Sequence, residues 1–249
     1  MWVIMEILAI IPARGGSKKL PRKNIAILSN KPLIYYSIRV AQESELINRI
    51  IVSTDDPDIS AISKRYGAEV PFTRPSKFAQ DLTPDLPVFT HTLMWLQDKE
   101  NYTPEIIVQL RPTSPLRDPH IVDKAINLLI NNPEAHSVRA VVVPDENPYK
   151  MWTINEKGYL KPIMKTAIKE AYNQPRQILK PVYWQTGYVD VVWTDVILNM
   201  CSMTGERILP LILEDLPENK IDIDTQESLN EAERLMKKYK EFDFQNKES

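Results

Sequence analysis

The chain has 249 residues, 43% hydrophobic and 26% charged, the balance of an ordinary globular protein. Its 31 Lys and Arg against 33 Asp and Glu leave a net charge of −2, which gives no electrostatic footprint for duplex nucleic acid or an anionic membrane surface. A single cysteine (Cys201) and three scattered histidines (His91, His120 and His136) exclude a disulfide framework and argue against a histidine metal site.

The N-terminal apolar stretch is interrupted by Glu6 and Pro12. No basic residue precedes it, and no apolar run reaches the ~20 residues of a membrane span. The expectation is a soluble intracellular protein starting at Met1 or Met5. Residues 7–11 form a continuous apolar run ending at Pro12, which predicts a strand buried on both faces. Residues 32–43 carry Leu33, Ile34, Ile38 and Ala41 at helical spacing. Residues 49–53 predict a second buried strand, and 58–66 a helix closed by Gly67. A helix over 87–96, a strand over 105–110, a helix over 121–130 and a strand over 137–143 continue the alternation. Strand and helix in this order predict an α/β fold with a mostly parallel sheet covered on both faces.

From 144 to 181 the pattern changes to an arm, with two short strands around a turn at 156–158. Residues 188–193 and 220–223 return to strand character. The segment 225–239 predicts an amphipathic helix with Leu229, Ala232, Leu235 and Tyr239 on one face, followed by a frayed polar tail from Lys240.

Three segments could carry chemistry. The loop after the first strand, 13–24, holds the adjacent glycines Gly15 and Gly16 and five cations in ten residues. Only 6 glycines occur in the chain, so a pair here points to a backbone requirement. Backbone N–H groups and cations at the carboxyl end of a strand suit a polyphosphate, although neither G-x-x-x-x-G-K-[ST] nor G-x-G-x-x-G is present. The segment Ile221-Asp222-Ile223-Asp224, read as a strand, buries both isoleucines and projects both carboxylates to one side, a hard-oxygen pair suited to Mg²⁺. Asp224 with Glu227 also resembles a helix capping box. The third segment, 109–117, sets Arg111, Thr113, Ser114 and Arg117 between stiffening prolines, suitable for a base or phosphate or for a plain turn. The histidines are expected to be structural or surface residues, and Trp152 and Trp184 packing groups.

In this order, IPARGGSKKLPRKNI, IIVSTDD, QLRPTSPLR, NQPRQ and IDIDT resemble the acylneuraminate cytidylyltransferases, the CMP-sialic acid synthetases. The chain also resembles the synthetases that activate bacterial nonulosonic acids such as pseudaminic and legionaminic acid. The resemblance covers residues 7–236. It implies a Rossmann-like nucleotidyltransferase fold, one domain over 1–249 with a dimerisation arm at about 145–182, and a cytoplasmic homodimer. It implies transfer of CMP from CTP to a sialic acid-like sugar acid with release of pyrophosphate, and no nucleic-acid or membrane partner. The nucleotide would be held by Arg14, Gly15, Gly16, Ser17, Lys18, Lys23, Asn24, Arg74, Arg111, Thr113 and Ser114. Asp222 and Asp224 would hold Mg²⁺, which would lower the pKa of the attacking hydroxyl, since no general base stands out. Arg14, Lys18, Lys23 and Asp224 would be catalytic. Lys150, Arg176, Arg111, Gln185, Thr186 and Asp190 would face the acceptor.

Two departures bear on the acceptor. Arg111 stands where the sialic acid synthetases have Gln, and Trp184-Gln185-Thr186-Gly187 stands in place of Arg-Pro-Asn-Gly, with Asp190 at a family tyrosine. The reaction type is therefore better specified than the substrate. A different acceptor (a sugar phosphate, polyol phosphate or phosphonate), another nucleotide, a glycosyltransferase with Asp222-x-Asp224 as its DxD, and a non-catalytic nucleotide-binding protein stay open at this point.

Overall fold

The computed structural model describes residues 5–247, with side chains through Lys238. The proposed extension ahead of Met5, and Tyr239 on the C-terminal apolar face, lie outside the described residues. Strand β1 (Ile7–Pro12) turns Ile7, Ala9 and Ile11 to one core and Leu8 and Ile10 to another. This period-2 alternation with both faces buried is what the unbroken apolar run predicts. A two-residue ladder, β2 (Ile27–Leu28) with β3 (Lys31–Pro32), leads into helix α1 (Leu33–Glu43). Then follow β4 (Arg49–Ser53), α2 (Pro57–Arg65), α3 (Asp85–Glu100), β5 (Ile106–Gln109), α4 (Pro119–Ile130) and β6 (Ser137–Val142). Helix α2 starts on the Asp56 carboxylate, which accepts from the N–H groups of Asp58 and Ile59. It ends at Gly67, whose φ of +90° explains the glycine.

The arm carries the hairpin β7 (Trp152–Ile154) and β8 (Leu160–Pro162). Tyr149, Ala171 and Leu179 form a small core of their own at its base. The chain returns through β9 (Trp184–Trp193), α5 (Thr194–Leu198), β10 (Ile208–Ile212), α6 (Pro217–Lys220) and α7 (Gln226–Lys247). The main sheet has the order β10-β6-β9-β5-β1-β4. Neighbouring pairs are parallel except those made by β9, which runs antiparallel to β5 and β6. Helices α1 and α4 cover one face; α3 and α5 cover the other.

Several sequence expectations need correction. No strand forms at 220–223 among the described residues: Lys220 closes α6, and the following segment is tied to the sheet end by the Ile223 N–H donating to Thr113 O at 2.8 Å. Strand β10 is absent from the sequence reading; its register with β6 runs unbroken through Pro210, a residue tolerated on the edge position that β10 occupies. The tail expected to fray from Lys240 continues as helix to Lys247. As expected of a packing group, Trp152 sets its ring against Tyr172 within the arm, with centroids 4.4 Å apart, while Trp184 at the start of β9 stays half exposed. No helix among the described residues is long and apolar enough to cross a membrane.

Candidate nucleotide-binding cleft

The loop after β1 is shaped by contacts that leave it open on one side. The Ala13 N–H extends the ladder to Ser53 O at 3.0 Å. The Gly15 N–H donates to Asp55 Oδ1 at 2.9 Å. A Cβ on Gly15 would fall 2.8 Å from Asp56 Oδ2, so only glycine lets this loop lie against the start of α2. The Asn24 amide closes the loop by donating to Arg14 O at 2.9 Å.

These contacts wall a cleft of about 310 Å³ at the carboxyl ends of β1 and β5. From the first loop it takes Arg14, Gly16, Ser17, Lys23 and Asn24, and from the loop after β5 it takes Arg111 and Thr113. Asp222 and Asp224 complete it from the far end of the chain. They flank Ile223, which is fully buried in a third core with Leu20, Leu28, Leu33, Leu229 and Ala232. Burying one such side chain contributes roughly 1.5–3 kcal/mol, so the docking of α7 is what brings both carboxylates to the cleft. Thr225, not Asp224, caps α7, its Oγ1 accepting from the Ser228 N–H at 3.3 Å. That leaves the Asp224 carboxylate free to accept from Lys23 Nζ, 201 positions away.

The other expected nucleotide residues are placed differently. Gly15 is absent from the cleft wall and its N–H is already occupied. Lys18 reaches only the rim, where it pairs with Asp81 at 2.5 Å. Arg74 lines the cleft but is buried, with Nε donating to Ser53 Oγ at 3.1 Å. Burial lowers its proton affinity. Ser114 is buried with an unpartnered Oγ close behind Gly187. Arg22, one of the five loop cations, turns away to Asp58 at 2.7 Å. None of the three histidines lines the cleft.

The expected acceptor residues separate into two groups. Lys150 and Arg176 are exposed on the arm and outside the cleft, with Arg176 donating to Asp145 O at 2.7 Å. Arg111, Gln185 and Asp190 belong to one polar network. Arg111 Nη2 donates to Asp85 Oδ2 at 2.6 Å. Its Nη1 lies 3.7 Å from Asp190. Thr186 is buried beside this network.

Sequence reasoning missed Asp81, Asp85 and Arg139, whose roles appear only when their partners come together. It also missed the work of Arg117. This guanidinium is buried and donates to the carbonyls of Arg111 (2.7 Å), Gly187 (2.9 Å) and Tyr188, and to Ser37 Oγ at 3.1 Å. Burial without a carboxylate contact lowers its proton affinity. It ties the loop after β5 to β9 and so fixes where Arg111 can reach.

As for a metal, no cluster of three or more His, Cys, Asp or Glu side chains forms among the described residues. A pair of carboxylates with phosphate oxygens as the remaining ligands is nonetheless the usual way Mg²⁺ is held. Asp222 makes no ion pair or side-chain hydrogen bond among the described residues, and Asp224 meets only Lys23 through its side chain. The donor set fits such an ion.

Comparison with known proteins identifies the family. The cytidylyltransferase family model matches residues 8–184. The chain is 32% identical over 238 residues to the CMP-N,N'-diacetyllegionaminic acid synthase of Legionella pneumophila, covering 93% of this chain and 97% of that protein. It is 38% identical over 128 residues to the pseudaminic acid cytidylyltransferase of Campylobacter jejuni, covering 51% of this chain and 55% of that one. In fold it is similar to CMP:2-keto-3-deoxy-manno-octonic acid synthetase solved with CTP, with a TM-score of 0.68, 16% identity, and coverage of 94% and 99%. The family match removes the glycosyltransferase reading of Asp222-x-Asp224. The chain belongs to the cytidylyltransferase family and is a nucleotidyltransferase.

Proposed function

We propose that the protein transfers CMP from CTP to a nonulosonic, sialic acid-like sugar acid and releases pyrophosphate. The near full-length match to a CMP-N,N'-diacetyllegionaminic acid synthase carries this reading. An acceptor hydroxyl attacks the α-phosphorus, the α–β phosphate bond breaks, and pyrophosphate leaves. Such a displacement needs positioning and charge stabilisation rather than a covalent intermediate.

Arg14 and Lys23 in the cleft, with Lys18 at its rim, stabilise charge on the departing pyrophosphate. Arg111 orients the α-phosphate side of the nucleotide. Gly16, Ser17, Asn24 and Thr113 shape and hydrogen-bond the nucleotide pocket, with Arg74 supporting its wall. Mg²⁺ held by Asp222 and Asp224 would neutralise phosphate charge there.

The chain acts as one catalytic domain, with the arm at about 145–182 as the contact of a cytoplasmic homodimer. Lys150 and Arg176 on that arm would then serve the neighbouring subunit's acceptor site. What supports the arm reading is its exposed apolar surface: Ile154, Tyr159 and Leu160 are each more than 60% exposed, more than a monomer leaves uncovered without reason. Sedimentation at micromolar concentration should give a dimer, and a monomer would remove this part of the reading.

The decisive assay is pyrophosphate release from CTP with Mg²⁺ and a panel of N,N'-diacetyllegionaminic, pseudaminic and N-acylneuraminic acids. Release with at least one sugar acid supports the proposal; silence with all three, alongside retained CTP binding, overturns the acceptor class.

A further inference from the structure

We propose that Arg139, held flat by Asp190, recognises the carboxylate of the acceptor. This rests on the sugar-acid reading above and adds a residue to it.

The argument begins with register. Arg139 of β6 and Gln109 of β5 both lie directly opposite Asp190 of the intervening β9. Directly opposed residues share a face, so the three side chains form a polar row across an otherwise apolar sheet. At one end of the row, Gln109 Nε2 and Arg111 Nη2 both donate to Asp85 Oδ2, at 2.8 and 2.6 Å, and Asp85 and Arg111 line the nucleotide cleft. At the other end, Arg139 stands on the strand that leads into the arm. Arg139 is not itself in the cleft wall but lies one carboxylate away from it, on the arm side of Arg111.

Asp190 itself cannot meet an acceptor, because it is 3% exposed and both its oxygens are occupied. Arg139 Nε donates to Oδ1 at 2.8 Å and Nη2 to Oδ2 at 3.1 Å, while Nη1 donates to Gln185 Oε1 at 2.9 Å. A guanidinium has five N–H donors in a rigid plane. Three are used, which leaves one on each terminal nitrogen. The Arg139 side chain keeps 22% of its surface exposed. Two N–H groups on one planar fork match the two oxygens of a carboxylate. Asp190 is a positioning residue that sets the plane of the fork, and Gln185 fixes its rotation.

The test uses the full-length enzyme with N,N'-diacetyllegionaminic acid and its C1 carboxamide as acceptors. Arg139→Lys keeps a cation for Asp190 but loses the second donor. It should raise the KM for the acid about tenfold, the size of a lost charge-assisted hydrogen bond, while the KM for CTP stays within about twofold. It should also shrink the preference of the wild type for acid over amide. The double variant Arg139→Gln with Asp190→Asn removes both charges together, which guards against misfolding from an unpaired buried carboxylate, and should show the same loss of preference with an unchanged melting curve. A folded Arg139→Lys enzyme with wild-type acceptor KM and wild-type preference overturns the assignment alone. A wild-type enzyme silent with every sugar acid overturns the function and this assignment together.

Discussion

Asp81 accepts a hydrogen bond from Arg14 Nη1 at 2.9 Å and pairs with Lys18 Nζ at 2.5 Å, so one carboxylate on the cleft wall holds two of the cations assigned to the triphosphate. The Lys18 and Arg14 contacts hold its carboxyl below the usual carboxylate range. An anion that occupies the cations before nucleotide arrives competes with it. Asp81→Asn should therefore tighten CTP binding about two- to fivefold at low salt, the scale of an exposed ion pair. Titration calorimetry with CTP reads this directly, and weaker or unchanged binding would contradict the competition.

Asp224 is half exposed and pairs with Lys23, an interaction worth under about 1 kcal/mol to the fold. Asp224→Asn should leave the melting curve close to wild type. Pyrophosphate release should nevertheless fall about a hundredfold or more, because charge stabilisation at the phosphates is lost. Near-normal turnover in a folded variant would refute the role given to this carboxylate.

Arg117 donates to three carbonyls and a hydroxyl from a buried position. Arg117→Met would take this donor from the Gly187 and Tyr188 carbonyls, at about 1–3 kcal/mol each, while the Arg111 carbonyl keeps Ser37 Oγ and the Ser114 N–H, so a loss of about 2 kcal/mol or more is expected. Urea unfolding measures it. A loss below 1 kcal/mol would mean that water or a shifted loop takes over the bonds.

Tyr36 donates to Leu28 O at 2.6 Å beneath α7. Burial and the nearby Glu233 push its pKa from 10 up to about 12. The raised value favours the neutral phenol in the folded state, so the associated stability is complete below pH 10 and is lost as pH rises towards 12. Thermal melts between pH 9 and 12 should show a fall that is shallower in Tyr36→Phe. Equal slopes in the two proteins would show that other groups govern alkaline unfolding.

Much of the sheet was legible because its signals are local. The run 7–11 could alternate Ile and Leu between two cores only as a central strand, and 49–53 coincides with β4 residue for residue. Strand β10 carries Pro210; the rule against proline in strands is relaxed at an edge, and nothing local says which strand is the edge. The segment 220–223 looked like a strand through its alternation, yet alternation shows only that Ile223 faces inward. Pairing needs a neighbour, and here the backbone tie to the sheet end is the bond from the Ile223 N–H to the Thr113 carbonyl.

By itself the sequence determined the α/β layering, the phosphate-type loop at the end of the first strand and the identity of the two acidic residues near the end of the chain. These follow from hydrophobic period, turn chemistry and residue type, which act over a few positions. The tertiary structure alone decided which charges meet: Lys23 with Asp224, Arg14 and Lys18 with Asp81, Arg139 with Asp190. Each pair is assembled by the packing of distant elements, chiefly the docking of α7 through Ile223 and Leu229 and the antiparallel insertion of β9. Salt screens a Coulomb contact beyond about 8–10 Å at physiological ionic strength, so no reading of residue types can assign it before the fold brings its two ends together.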